Sequence, residues 1–296
     1  MDNPVSTRRS LDALNAASVA GFTAALGEVF ENAPWVAEQA ALARPFATGT
    51  ALHEAMLAAV HAAPPERITA FLRGHPELAG AAAMAGKIGA ASLAEQSALD
   101  LQHSADDTDA LAALNLAYGD RFGFPFILCV RRHTRTSLMS EFRRRLEHDP
   151  KSERDAALQE IGHITRLRLV NQVNGPVMPV VNGSLTTHVL DTAVGRPAHG
   201  IAMELLEVGG AHAVSLVRSV TNADGRTASP LLYGEPLRIG TYELRFRVGE
   251  YFHGSTAQQP PFLDVIPIRF GISEPEAHYH IPLLVSPGAY STYRGS

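Results

Sequence analysis

The chain has 296 residues, which is long enough for about two domains. Its 25 lysine and arginine residues against 30 aspartate and glutamate residues give a formal net charge of -5, so no overall positive field attracts nucleic acid. No apolar run reaches the roughly 20 residues that cross a bilayer, and the single cysteine, Cys129, excludes an intrachain disulfide and a thiolate zinc cluster. We therefore expect a cytoplasmic protein that binds neither nucleic acid nor membrane.

The first predicted element lies in the segment that follows Arg8 and Arg9. Two arginines before the fairly apolar residues 13–26 form a pattern found in twin-arginine export signals, and this alternative stays open. Phe22, Leu26 and Phe30, however, continue one helical repeat into the stretch that follows. We therefore predict that the segment is the first helix of a folded domain.

Residues 1–172 are rich in alanine and carry apolar residues at helical spacing, as at Leu158, Ile161 and Ile164. This pattern predicts an all-helical domain over 1–172. One stretch, Arg131–His148, combines an apolar repeat with many arginines, which predicts an amphipathic helix with a solvated basic face. We do not expect that face to bind nucleic acid.

Residues 173–183 contain glycine, proline and asparagine, which predict the end of the last helix and a short linker. Beyond the linker the apolar period falls to two, since Tyr242, Leu244 and Phe246 alternate with charged residues. Several such runs, separated by turn residues, predict an antiparallel β-sandwich over 184–296. The predicted fold class is therefore multidomain, with an all-α domain followed by a β domain.

Three stretches of the β half carry side chains suited to catalysis: SLTTHVLDTAVGRPA with His188, TNADGRT with Arg226, and HYHIPLLVSPGAYSTYRGS with His280. On these motifs the β half resembles the 5-hydroxyisourate hydrolase family, whose fold is transthyretin-like, over roughly residues 183–296. The resemblance implies a homotetramer with sites at subunit interfaces and no bound metal. It also implies catalytic roles for four residues and substrate contacts for two more: His188, Arg226, His280 and Ser296, then Tyr293 and Arg294.

Opening the ring of 5-hydroxyisourate adds water to an amide-like carbonyl, and an imidazole suits the role of base near neutral pH. Arg226 and Arg294 are candidates for stabilising the oxyanion. One alternative is a metal site, because His278 and His280 share a strand face and could join His188. Another is a transthyretin-like small-molecule binding module fused to a helical scaffold, although the polar site residues favour the hydrolase.

Three stretches of the helical half, RGHPELAG, SLAEQSALDL and LNLAYGDRFGFPFILCV, form a second group of motifs. They resemble the 2-oxo-4-hydroxy-4-carboxy-5-ureidoimidazoline (OHCU) decarboxylase family, over about residues 10–172. The resemblance implies a site built from His75, Glu95 and a late arginine, with no cofactor because the substrate contains its own electron sink. His75 is expected to move a proton and Glu95 to hold the ureido nitrogens. Further predicted substrate contacts are Ser92, Gln96, Phe124, Phe126 and Ile127.

The late arginine is chosen from the stretch ITRLRL by its position in the helical repeat. Ile161, Ile164 and Arg168 share one apolar stripe, whereas Arg166 lies with His163 on the polar face. An arginine aimed inward needs an anionic partner, which the carboxylate of the substrate would supply. We therefore predict Arg168 as the site residue.

Together the two resemblances imply consecutive reactions on small-molecule substrates. The β half would hydrolyse 5-hydroxyisourate, and the helical half would decarboxylate the product to (S)-allantoin.

Overall fold

The computed structural model describes residues 8–78, 105–209, 212–253 and 260–295, and the chain divides into two compact units. The helical unit comprises Met1–Arg131 and Leu138–Val180, and the β unit comprises Arg132–Ser137 and Val181–Ser296. The sequence predicted two contiguous domains, so the assignment of Arg132–Ser137 to the β unit is a difference. Its cause is a pair of backbone hydrogen bonds: Ile239 N–H donates to the Arg132 carbonyl at 2.7 Å, and Thr134 N–H donates to the Ile239 carbonyl at 3.1 Å.

The helices of the first half begin where the sequence offers capping side chains. The Ser18 and Thr48 hydroxyls accept N–H groups of the first helical turns, which would otherwise be unsatisfied. Asp149 does the same for the longest helix, which has proline in its first turn. In chain order the described helices are α1 (Leu11–Ala16), α2 (Val19–Leu26), α3 (Pro34–Ala40), α4 (Gly49–His61), α5 (Pro65–Arg73), α6 (Ala105–Phe122), α7 (Arg135–Leu146) and α8 (Pro150–Gln172).

The segment with the paired arginines contributes to this core. Leu11, Leu14, Phe22 and Leu26 of α1 and α2 are each at most 2% exposed. The prediction of a first folded helix is confirmed, although two short helices replace the single one. None of the helices in the described part of the chain has both the length and the apolar character of a bilayer crossing.

The basic stretch is only partly solvated, which corrects the prediction for Arg131–His148. Leu138 and Phe142 of α7 are buried as predicted, but so is Arg145, whose guanidinium binds Glu153 of α8. Both side chains are fully buried, and burial of such a charge requires a partner of opposite sign.

Part of the predicted linker packs on the helical unit. The strand β2 (Val173–Asn174) pairs in parallel with β1 (Arg9–Ser10). The carbonyls of Pro176 and Val177 then accept the N–H groups of Gly49 and Thr50 at 2.9 and 3.0 Å. These contacts anchor the chain as far as Val180, where the unit ends.

The β unit is a sandwich of two four-stranded sheets, ordered β10-β9-β3-β4 and β6-β5-β7-β8. Alternating burial along the strands places one face of each sheet in a shared apolar core, which agrees with the predicted period of two. All neighbours are antiparallel except β3 and β9, which run parallel. The elements are β3 (Ser184–Asp191), β4 (Arg196–Pro197), β5 (Ala202–Gly209), β6 (His212–Val220), β7 (Gly240–Arg247), α9 (Val248–Tyr251), β8 (Val265–Ile272), β9 (His278–Ser286) and β10 (Ala289–Thr292).

Candidate active sites

A cavity in the helical unit collects residues from four separate parts of the chain. Glu31 comes from the connection between α2 and α3, His75 follows α5, Ile127 precedes α7, and Arg168 belongs to α8. The described lining residues are Glu31, His75, Pro76, Leu78, Phe126, Ile127, Leu128, Val130, Ile161, Ile164, Thr165 and Arg168. The wall is thus mainly apolar with a few convergent polar groups, which is the usual character of a small-molecule site.

His75 is half-buried and is fixed by the helix that precedes it. Its Nδ1 lies 3.0 Å from the Phe71 carbonyl, so Nδ1 carries the proton and Nε2 keeps its lone pair. Burial lowers the pKa of His75 to about 4; the Phe71 hydrogen bond and Glu31 oppose the shift, and Arg168 adds to it. The imidazole is therefore neutral at pH 7 and able to accept a proton.

Arg168 lies on the buried face of α8, as its position in the apolar repeat predicts. It is 7% exposed, and its Nη1 donates to Glu31 Oε2 at 2.8 Å. The sequence predicts that the substrate supplies the anionic partner of Arg168, whereas Glu31 fills that position in the structure. Glu31 lines the cavity and was not predicted, because a glutamate in ENAPW carries no spacing signal that separates it from a surface residue. Arg166 is half-buried, with Nη2 3.3 Å from His163 Nδ1.

A second histidine, which is buried, lies next to the wall of the cavity. His53 of α4 is 6% exposed, and its Nε2 lies 3.0 Å from Oγ1 of Thr165, which lines the cavity. Burial, followed by the charge of Arg166, lowers the pKa of His53 to about 4. His53 was also missed, since a histidine in an alanine-rich helix gives no indication of its surroundings.

The predicted substrate contacts from the aromatic stretch divide into two groups. Phe126 and Ile127 line the cavity, and the Ile127 carbonyl accepts Arg145 Nη1 at 2.7 Å. Phe124 is not among the described lining residues and packs instead edge-on against Tyr118 with ring centroids 5.8 Å apart. The predicted residues Ser92, Glu95 and Gln96 lie outside the described residues.

The site predicted for the β half lies on the outer face of the sheet that contains β3 and β9. The parallel register pairs Thr186 with His280 and Ser184 with His278, and His188 follows on the same face of β3. Thr186 Oγ1, for which the sequence motifs predict no role, lies 2.8 Å from His278 Nε2 and 2.9 Å from His280 Nδ1. The parallel pairing therefore brings together histidines that are about ninety residues apart in sequence.

Arg226 reaches this face from the turn after β6. The backbone of Arg226 bridges His188, and Gly225 beside it has a φ of +69°. A Cβ on Gly225 would lie 2.3 Å from the Val189 carbonyl oxygen, so only glycine allows this approach. Burial lowers the pKa of His188 and of His280, and the Arg226 cation lowers both further. Both imidazoles therefore favour the neutral form.

The last described residues of the chain lie close to His280. Gly295 N–H donates to the His280 carbonyl at 3.0 Å, and a Cβ on Gly295 would lie 2.6 Å from His280 Cδ2. Arg294 stacks over the Tyr279 ring with 4.9 Å between the guanidinium carbon and the centroid, and Tyr293 is 60% exposed. Ser296 lies outside the described residues.

The positions of the histidines bear on the alternative that they form a metal site. The ring centroids of His278 and His280 are 6.2 Å apart. Among the residues that the structure describes, no group of three or more histidine, cysteine or acidic side chains is placed to hold a metal ion.

Comparison with known families matches both halves of the chain. The model of the OHCU decarboxylase family matches residues 15–170, and that of the HIUase/Transthyretin family matches residues 185–295. The 5-hydroxyisourate hydrolase 2 of Rhizobium meliloti is 53% identical over 118 residues, which cover 39% of this chain and 98% of that protein.

Two further relatives extend across both units. The uric acid degradation bifunctional protein TTL of Arabidopsis thaliana is 29% identical over 254 residues, which cover 69% of this chain and 76% of that protein. The crystal structure of (S)-allantoin synthase aligns with a TM-score of 0.53 and 33% identity, covering 97% of this chain and 100% of that one.

Proposed function

Since the chain belongs to the OHCU decarboxylase family and its β unit to the HIUase/transthyretin family, we propose that it catalyses two consecutive steps of urate degradation. The β unit hydrolyses 5-hydroxyisourate to OHCU, and the helical unit decarboxylates OHCU to (S)-allantoin. The observation that carries this conclusion is the similarity to (S)-allantoin synthase over 97% of the chain, which includes both units in the same order. The binding-module alternative has no comparable support, since the β unit is most clearly similar to hydrolases.

In the decarboxylation, the bond between C4 and the carboxylate breaks, and its electron pair passes to the adjacent ring system as CO₂ leaves. Neutral His75 accepts the 4-hydroxyl proton at Nε2 and returns a proton to the carbanion on one face, which accounts for a single enantiomer. Arg168 binds the carboxylate before it leaves. Glu31 holds the guanidinium in position while the cavity is empty, and Glu95 would hold the ureido group.

In the hydrolysis, water adds to a ring carbonyl and the ring C–N bond then breaks. One neutral imidazole, at His188 or His280, removes the proton of the attacking water. The Arg226 cation, close enough to lower the pKa of both histidines, faces the oxyanion that forms. The departing nitrogen takes the proton from the imidazole, which regenerates the neutral base.

The test is to supply freshly made 5-hydroxyisourate and to follow its absorbance together with the circular dichroism of the allantoin. The proposal expects a rapid fall in absorbance and one allantoin enantiomer. Racemic allantoin formed at the uncatalysed rate would refute the decarboxylase, and an unaccelerated absorbance decay would refute the hydrolase.

Assembly and location belong to the same proposal. The transthyretin-like family supports a homotetramer built through the β unit, and light scattering of the full chain tests it by mass. Cys129 is the sole cysteine, so the chain cannot form an intrachain disulfide, which suits the reducing cytoplasm. Fractionation of cells that produce the native chain tests that location.

A further inference from the structure

Thr186 occupies an unusual position between two histidines of the proposed hydrolase site. Its Oγ1 is 2.8 Å from His278 Nε2 and 2.9 Å from His280 Nδ1, and both distances are those of hydrogen bonds. The hydroxyl has one proton to donate, so it accepts from one ring when it donates to the other. The proton positions of the two imidazoles are therefore linked through this oxygen.

Two arrangements satisfy both hydrogen bonds when the rings are neutral. In the first, His280 donates Nδ1–H to Thr186, the hydroxyl donates to His278 Nε2, and His280 Nε2 keeps a lone pair. In the second, His278 donates Nε2–H, the hydroxyl donates to His280 Nδ1, and the proton of His280 lies on Nε2. Only the first arrangement gives His280 a basic Nε2.

Protonation of His278 selects the second arrangement. A protonated His278 has an N–H at both nitrogens, so Thr186 must accept from it and donate to His280 Nδ1. His278 is exposed in the single chain, whereas His280 is half-buried. Among the described residues, the charged or titratable groups that act on His280 are Arg226 on the turn, His278 and His188, and Arg294 lies against Tyr279.

We propose that Thr186 is a positioning residue of the hydrolase, which allows His280 to present a basic Nε2 only while His278 is neutral. This inference rests on the proposed function of the β unit. The family motifs assign a role to His280 alone. In this inference Thr186 and His278 together set the tautomer of His280, which contacts the substrate.

The chain offers a matched control in the neighbouring residue. Thr187 lies on the opposite, buried face of β3, and its hydroxyl donates to the Ile281 carbonyl at 2.7 Å. Thr186→Val and Thr187→Val therefore remove the same hydroxyl from the same strand, but only the first breaks the link between the histidines. Thr186→Ser keeps the hydroxyl and should restore the wild-type behaviour.

The experiment measures kcat and KM for 5-hydroxyisourate hydrolysis from pH 5 to 9, with the full chain and these three variants. We expect Thr186→Val to lower kcat about 10-fold at neutral pH with little change in KM, which is the size expected for the loss of one hydrogen bond. Its acid limb should shift to lower pH, because protonated His278 no longer dictates the tautomer of His280. The deficit should therefore shrink as the pH falls.

The result that would overturn the inference is a pH profile of Thr186→Val that is parallel to or coincides with that of the wild type. An equal effect of Thr187→Val, or no rescue by Thr186→Ser, would assign Thr186 a purely structural role and reject it as well. A wild-type chain without hydrolase activity would instead reject the proposed function itself, and the inference with it. Decarboxylation in the same samples monitors the integrity of the helical unit.

Discussion

The two sites hold neutral imidazoles close to arginines, but one lies inside a cavity and the other on the face of a sheet. His75 lines a cavity formed between helices, and the arginine beside it is buried and paired with Glu31. His188 and His280 are half-buried on the outer face of their sheet, and Arg226 is exposed. The first is a closed site, enclosed within one chain, where a carbanion is shielded from water. The second is an open site in the single chain, and a partner subunit of the proposed homotetramer would complete it.

The largest effect is expected from His75→Ala, which removes the proton carrier from the closed site. Loss of a general acid-base group typically costs 10²- to 10⁴-fold, so we expect decarboxylation to fall about 10³-fold and hydrolysis to be unchanged. The circular dichroism of allantoin measures the loss of decarboxylation, and the decay of the 5-hydroxyisourate absorbance measures the hydrolysis that is retained. His61→Ala, at an exposed histidine of α4, serves as the control. Glu95→Gln should have the same effect as His75→Ala. Rapid formation of one allantoin enantiomer by His75→Ala would show that His75 is not part of the site.

Arg168→Ala tests whether a buried cation binds the substrate carboxylate. Removing a charge-assisted pair costs about 3 kcal/mol, so kcat/KM for the carboxylated intermediate should fall about 10²-fold, with a raised KM. Arg166→Ala, two residues away on α8, should have little effect on the same constants. If Arg166→Ala proves the more damaging change, the proposed role of the inward stripe is wrong.

Deletion of Tyr293–Ser296 tests the open site. The loss of the backbone that contacts His280 should lower hydrolysis by about two orders of magnitude, which is typical for a displaced catalytic donor. Decarboxylation should persist, because its site lies in the other unit. Hydrolysis at the wild-type rate after this deletion would exclude the tetrapeptide from the site.

A milder change at the same place is Gly295→Ala. The added methyl group would lie 2.6 Å from His280 Cδ2, so the strand end or the ring must move, and we expect about a 10-fold loss of hydrolysis. Gly288→Ala is the matched control, since a Cβ there meets nothing within 4 Å. Equal rates in the two variants would show that the approach of Gly295 to His280 is not required.

The smallest expected effect is a loss of folding stability in acid, which should affect the helical unit because His53 is buried there. The pKa of His53 is about 4 in the folded state against about 6.5 when unfolded, so the unfolded state binds more protons as the pH falls below 6.5. Each pH unit between those values should remove about 1.4 kcal/mol of stability, and nothing further is lost below about pH 4. Urea unfolding of the full chain at pH 7 and 5.5 measures this loss. His53→Gln should reduce the pH dependence, whereas His61→Gln, at an exposed residue of the same helix, should leave it intact.

Periodicity predicted those features whose causes lie within one element. Arg168 follows Ile161 and Ile164 on one helical stripe, and its burial agrees with that position. Arg145 belongs to a similar stretch, but its burial depends on Glu153 of another helix, so the local pattern indicated a solvated face. The alternation in β3 and β9 predicted two strands with the histidines on one face, yet nothing local predicts that these strands pair in parallel.

The chemical environment of the site residues was harder to predict from the sequence than the fold was. Family motifs predicted His75, His188 and His280 as site residues. Their lowered pKa values, however, depend on burial and on charges supplied by distant segments. Glu31 and Thr186 were overlooked for the same reason, since their contacts join residues that are 137 and about ninety positions apart. The role of each remains a prediction that the variants above can test.

The position of β3 between β9 and β4 means that the β unit is completed late in synthesis. β4 pairs only with Leu190 and Asp191, and residues 225–232 add isolated bridges to β3. The continuous ladder of β3 must wait for β9, whose paired residues are synthesised 94 positions later. At about 5 to 20 residues per second that interval lasts roughly 5 to 20 seconds. The helical unit is already complete by Val180. The helical unit of a nascent chain can therefore fold before the β unit, while β3 still lacks its main partner strand.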